Sequence, residues 1–296
     1  MSKPADFQAL VALAMTDQAR VRMRPVVEKE LLHYDILFAL DEEGLLDQLT
    51  FQGGTSLRLC YGSPRYSEDL DFAGGLDFDA RQVMNMKSCL ERYVGERYGL
   101  EVTVKEPTQV ALELRGKNVK VHKWQIRIVT APGRPDLPKQ MIKLEVANVP
   151  AYTRVPQLLK RNYDFLPDWY DNVAIMVETR EEIMADKLVA LVDCPRLRHR
   201  DIWDLLWLHQ QNTETAAELV RHKLVDYQVE HYATKVDQLI ERLPDIIRGK
   251  EFKDQMARFL PQELQDRALR NENFLAVMQN EVTRLLKKAK QEPVQL

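Results

Sequence analysis

Two short stretches carry residue types suited to phosphate chemistry: Gly53-Gly54-Thr55-Ser56, and Asp69 with Asp71 on either side of Leu70. Paired glycines after a strand permit positive φ and let backbone amides approach an anion closely, while Thr55, Ser56 and the helix start beyond them add hydroxyl and N–H donors. Such a loop would cradle a phosphate. At i and i+2 on a strand, Asp69 and Asp71 send both carboxylates to one face while Leu70 and Phe72 enter a core. Like charges side by side repel, and both stay ionised most readily with a cation between them; carboxylate oxygens suit Mg2+. A divalent ion facing a phosphate loop is what phosphoryl or nucleotidyl transfer requires, because it neutralises charge on the reacting phosphate. Alone, a Gly-Gly-Thr string is commonly a turn and an Asp-x-Asp pair commonly a solvated strand face. In this order, separated by a short helix and a turn, each makes the other informative.

A third carboxylate is available on 140–148, where Ile142, Leu144 and Val146 form one face and Lys143 and Glu145 the other. If that strand lies beside the acidic pair, Glu145 completes an acidic triad and could share a metal or accept a proton from an incoming hydroxyl; a solvated acid paired with Lys143 or another base explains it equally. Lys187 stands to one side of an apolar helical stripe (Met184, Leu188, Leu191, Val192), where its stem can pack while the ammonium reaches a phosphate. Asp201 shares a helix face with Asp204, Leu205 and Leu208, a place that also suits a cap or an ion pair, and Arg200 and Asp204 are spaced for an i, i+4 pair. Trp203 and Trp207 read as core. Basic residues gather at Lys117, Lys120, Lys123 and Arg127, and again at Arg196, Arg198, His199 and Arg200; either group could grip a nucleic-acid backbone or be a solvated edge.

The elements that must position these groups fall into two halves. A helix over 25–46 opens on Pro25, a strand over 49–52 runs into the glycines, a brief helix follows, and a strand over 68–73 carries the acids. Beyond lie a helix over 79–98 and strands over 100–105, 119–130 and 140–148. From about residue 180 the alternation ends, and helices are expected over 180–192, 199–211, 214–228, 231–243 and 272–289, with a frayed tail over 287–296. The stretch 148–175, rich in proline and aromatic residues, reads as a connection. The fold class is therefore α/β (α+β), a mixed-sheet domain over residues 1–175 followed by a helical domain over 176–296.

Composition bounds the rest. The chain has 296 residues, 42 Lys+Arg against 45 Asp+Glu and a formal net charge of -3, which argues against a protein coating nucleic acid over its whole surface. Cys60, Cys89 and Cys194 lie far apart with no zinc-type spacing, His122 and His199 form no metal pair, and no apolar run approaches a membrane span. A cytoplasmic protein is expected.

Gly53-Gly54-Thr55-Ser56-Leu57, Ser67-Glu68-Asp69-Leu70-Asp71-Phe72, the run Glu182 to Leu188 and the run Arg200 to Asp204 together resemble the successive motifs of the AbiEii/AbiGii toxin family, which belongs to the DNA polymerase β-like nucleotidyltransferase superfamily and includes MenT-type toxins. The motifs span residues 51–204. The resemblance implies Mg2+ ligation by Asp69 and Asp71, nucleotide binding by Gly53, Gly54, Thr55 and Ser56, a triphosphate contact for Arg58, and catalytic roles for Lys187 and Asp201. Glu145 is placed by its strand alone. The resemblance further implies NTP as substrate, an RNA acceptor such as a tRNA 3′ end, a cognate antitoxin as partner, and a place in toxin–antitoxin or phage-defence systems. A nucleotide-sugar glycosyltransferase, a γ-phosphate transferase and a non-catalytic nucleotide-binding module are the competing readings.

Overall fold

The computed structural model describes residues 5–107, 119–134 and 136–291. Its contacts divide the chain into two compact units, Met1–Val177 and Glu178–Leu296. The first unit runs α1 (Phe7–Ala14), α2 (Arg24–Glu42), β1 (Thr50–Gln52), α3 (Gly53–Leu59), β2 (Leu70–Ala73), α4 (Met86–Tyr98), β3 (Val102–Lys105), β4 (Val121–Ile128), β5 (Gln140–Ala147), β6 (Val155–Leu158) and β7 (Ala174–Val177). The strands form one mixed sheet in the order β3-β4-β5-β2-β1-β7-β6. In it β2 runs antiparallel to β1 and parallel to β5.

Strand alternation divides the sheet into two chemically different faces. Phe51, Leu70, Phe72, Trp124, Ile126, Ile142, Leu144 and Val146 are buried, with the Phe51 and Phe72 rings stacked at 5.0 Å. The opposite face carries Asp71, Lys123, Arg127, Lys143 and Glu145. Helix α2 packs on this unit with more buried polar groups than an ordinary amphipathic helix. Glu28 accepts from Gln140, Glu30 pairs with Arg58, and Asp35 takes the Tyr98 and Tyr170 hydroxyls and the Arg97 guanidinium.

The stretch 148–175 is no simple connection. It contributes β6 and leads into β7, which pairs parallel with β1. Pro156 in β6 concealed this: a proline supplies no ladder N–H, but at the sheet edge none is required on the outer side. Tyr34 donates to Lys160 O at 2.5 Å, and the aromatic residues Tyr163 and Tyr170 are buried.

The second unit is helical: α5 (Arg180–Asp193), α6 (His199–Gln210), α7 (Ala217–Asp226), α8 (Tyr232–Arg248), α9 (Lys250–Ala257), α10 (Gln262–Leu264, continuing as a wide turn through Leu269) and α11 (Glu272–Gln291). Helix α8 continues past Pro244 rather than stopping at residue 243. The proline costs about 3 kcal/mol, whereas each large apolar side chain buried returns about 1.5–3 kcal/mol. Leu243 and Ile247 extend the buried stripe of Val236 and Leu239, so burial wins. The expected frayed tail is likewise ordered as far as Gln291, because Leu285, Leu286 and Ala289 are buried and Lys290 pairs with Asp237 at 2.6 Å; residues 292–296 lie outside the described residues. Among the described residues no helix is long and apolar enough to cross a membrane.

Candidate active site

Registry brings the sequence-predicted acids together. Gln52 lies opposite Asp71, Asp71 opposite Glu145, and Glu145 opposite Lys123, so one row crosses β1, β2, β5 and β4 on the polar face. The strand adjacency on which Glu145 depended is therefore present. Its carboxylate, however, is paired with Lys123 at 2.8 Å, and Asp69 lies 3.7 Å from Lys143. Among the described residues no three His, Cys, Asp or Glu side chains converge as a metal-binding group. A triad is thus not assembled here. Mg2+ commonly binds through one or two carboxylates together with substrate phosphates, and the Asp69–Asp71 pair beside a glycine loop fits that donor set.

The glycines are explained by what touches them. Gly53 has φ +78°, and a Cβ there would stand 2.8 Å from Asp71 Oδ2; the loop and the acid can be neighbours only without a side chain at this position. A Cβ on Gly54 would overlap the Arg65 guanidinium and reach Ser67 Oγ at 3.0 Å.

The other loop residues all have partners within the protein. Thr55 and Ser56 are buried, and their hydroxyls donate to the backbone carbonyls of Asp69 and Gly53, with the Ser56 bond at 2.8 Å. The Thr55 hydroxyl ties the loop to the segment carrying the acids, and the Ser56 hydroxyl closes the loop on its own carbonyl. The backbone N–H groups of the first turn of α3 have no acceptor within their own helix. Arg58, expected at the triphosphate, is buried beneath the loop. It donates twice to Glu30 at 2.8 and 3.0 Å and once to Ser63 O at 3.0 Å, and lies over the Tyr66 ring. Burial opposes its charge, yet the Glu30 carboxylate outweighs this and raises its pKa. The basic residue beside the glycines is Arg65, buried and donating to Tyr66 O at 2.7 Å.

Helix α2 also fixes the approach to the acids. Lys29 pairs with Glu68 at 2.8 Å, and His33 Nε2–H donates to Glu68 O at 3.1 Å. Burial lowers the His33 pKa to about 4 against the opposing pull of the Glu68 carbonyl, so the ring is neutral at physiological pH.

In the helical unit Lys187 and Asp201 meet. The ammonium is 2.9 Å from Asp201 Oδ1 and 2.7 Å from Asp204 Oδ2, and Arg198 reaches the other oxygen of Asp201 at 3.0 Å. Lys187 is buried, not extended over a helix edge toward solvent. Although burial raises the Asp201 pKa, the charges of Lys187 and Arg198 more than reverse the shift and lower it. Asp204, spaced in the sequence for an i, i+4 pair with Arg200, also takes Lys187, and Arg200 lies 4.8 Å over the Phe259 ring. Trp203 and Trp207 are core, as expected.

Gln52, Arg65 and Lys123 were missed as neighbours of the acids, and Lys143, expected beside Glu145, lies nearest Asp69. Alternation in β4 and β5 does mark Lys123 and Lys143 as partners on the polar face, whereas nothing local marks Arg65, because its position depends on how the turn before β2 folds back.

Comparison with known proteins decides the class. The sequence matches, over residues 35–280, the family described as nucleotidyl transferase AbiEii toxin of type IV toxin–antitoxin systems. The chain belongs to that family. It is a nucleotidyltransferase toxin. No protein of curated function matches the sequence significantly. Among solved structures it is similar to JHP933 from Helicobacter pylori, with 22% identity, 89% of this chain and 94% of the other covered and a TM-score of 0.44. It is also similar to a second H. pylori protein, assigned provisionally as a nucleotidyltransferase, with 20% identity, coverage of 87% and 96%, and a TM-score of 0.46.

Proposed function

We propose that this AbiEii-family member is an Mg2+-dependent enzyme that transfers a nucleoside monophosphate from an NTP to an RNA hydroxyl, with a tRNA 3′ end as the acceptor. The acceptor oxygen bonds to the α-phosphorus, the bond from that phosphorus to the bridging oxygen breaks, and pyrophosphate leaves. The observation carrying the proposal is the contact between acid and loop: Asp71 Oδ2 fills the space that a side chain on Gly53 would need. The carboxylates that bind a cation and the amides that bind a phosphate are thereby side by side.

Asp69 and Asp71 are the residues that would hold Mg2+, which when bound would supply charge neutralisation at the transferred phosphate. Gly53 and Gly54 keep the loop backbone open to the triphosphate, and Thr55 and Ser56 hold it in that shape. Glu145 accepts the acceptor's proton once Lys123 is drawn to a phosphate. Lys187 and Asp201 act as one unit, each fixing the other. An RNA acceptor is supported by the polar face beyond the acids. Lys105, Lys123, Arg127 and Lys143 project from neighbouring strands there, and Lys105 and Arg127 are exposed. Lys120 is exposed just before β4, and Lys117 lies outside the described residues. Such a row would follow a phosphate backbone. Acting on RNA and NTP places the toxin in the cytoplasm, where a cognate antitoxin would relieve growth arrest, and phage defence is the setting proposed.

Incubation with α-labelled NTPs, Mg2+ and total tRNA is expected to label RNA, and γ-labelled NTPs are expected to leave it unlabelled. Transfer that persists in Asp69→Ala and Asp71→Ala variants contradicts the proposal, and transfer of the γ label converts the enzyme into a phosphotransferase.

A further inference from the structure

Gln52 stands immediately before the two glycines, in register with Asp71. At the entrance to α3 it occupies the capping position in extended conformation, φ -139° and ψ -178°, yet its side chain makes no capping bond. Its carboxamide oxygen is buried and meets no hydrogen-bond donor among the described residues. A buried acceptor left without a donor costs about 1–3 kcal/mol, and folded proteins retain such groups chiefly where a water, an ion or a ligand satisfies them. The residues around it narrow the donor. Next in the row is Asp71, an acceptor when ionised, then Glu145, also an acceptor. Glu145 already has Lys123, so the acceptor without a donor in this row is the Gln52 oxygen, and a hydrated cation presents water O–H groups outward.

We propose that Gln52 is a positioning residue of this site, its carboxamide oxygen accepting a hydrogen bond from a water on the divalent ion held by Asp71. This rests on the assignment of Asp69 and Asp71 as the cation ligands and extends it to a residue outside the acidic motif. The amide supports a bound water without adding a negative charge beside Asp71.

The test is Mn2+ titration of the full-length protein, read by loss of the free-ion electron paramagnetic resonance signal, with and without a non-hydrolysable NTP analogue, alongside thermal melts without metal. Gln52→Leu keeps the volume and removes the acceptor. It is expected to weaken Mn2+ binding about ten-fold, in the range seen when partners of metal-bound groups are removed, while the metal-free Tm holds or rises because an unsatisfied buried group has gone. Gln52→Glu keeps the acceptor, drops the N–H donor, and is expected to bind Mn2+ at least as tightly as the unaltered protein. Unchanged Mn2+ affinity in Gln52→Leu overturns the proposal, as does a lowered metal-free Tm with unaltered binding, which makes the amide a fold contact satisfied by structural water. A loss seen only with the NTP analogue also overturns it, by transferring the donor to the nucleotide. Full Mn2+ affinity in Asp71→Asn instead overturns the underlying assignment of the acids, a result distinguishable from failure at Gln52.

Discussion

The polar face of the sheet and the interior of the helical unit both pair lysines with acids, under opposite conditions. On the sheet, the side chains of Lys123 and Glu145 are 30% and 27% exposed, and those of Lys143 and Asp69 are 41% and 28% exposed. In the helical unit the side chains of Lys223, Glu178 and Glu182 are 0% exposed, with Asp186 joining them 3.1 Å from the ammonium. Water-facing pairs contribute about 0–1 kcal/mol, whereas removing one partner of a buried pair costs about 3–5 kcal/mol. The same residue types therefore serve as exchangeable counter-ions in one place and as part of the scaffold in the other. Lysines beside Asp69 and Glu145 can be traded for a cation or a phosphate at little cost. Lys223 can be traded for nothing.

The largest effect expected is at Lys223. Lys223→Met leaves acids buried without their cation and should cost about 3–5 kcal/mol in urea unfolding. Next, Asp71→Asn should lower transfer to RNA by about 10²–10³-fold, the size of effect found when a main charge-stabilising group is removed, while changing unfolding free energy by less than about 1 kcal/mol. If Asp71→Asn instead unfolds the protein as readily as Lys223→Met, the contrast between the two regions is broken. Thr55→Val removes the hydroxyl that ties the loop to Asp69 O and should cost about 1 kcal/mol, with a parallel loss of nucleotide affinity.

A pH effect sharpens the same contrast. Burial, reinforced by Asp186, raises the Glu178 pKa well above 4.5. The folded protein therefore retains a proton there that the unfolded chain releases. This stabilisation is complete below about pH 4.5 and disappears as the pH climbs through the raised value. Unfolding measured across that window should show stability falling with pH, and Glu178→Gln should remove that component. Lys123→Ala should produce the smallest effect: under about 1 kcal/mol in stability, and a reduction of about one in the salt dependence of RNA binding.

Local order was readable where one element carries the information. The acids and glycines were legible because they are adjacent in the chain, and the strand bearing Glu145 because its alternation is clean. The ends of α8 and α11 were misjudged because burial of Ile247 and Ala289 by other helices overrode local stop signals. Strand β6 was hidden by Pro156, whose tolerance depends on being at an edge, a property of the sheet and not of the segment.

What the amino-acid order determined alone is the set of chemical groups and their local spacing: two carboxylates at i and i+2, two glycines ahead of them, and the motifs that identify the family. What only the tertiary structure decided is which polar groups remain available. Arg58 and Thr55 have the same side chains in either account, but Glu30 reaches one from a separate helix and the carbonyl of Asp69 reaches the other. A buried donor must find an acceptor, and the acceptor that claims it is selected by packing among residues distant in sequence.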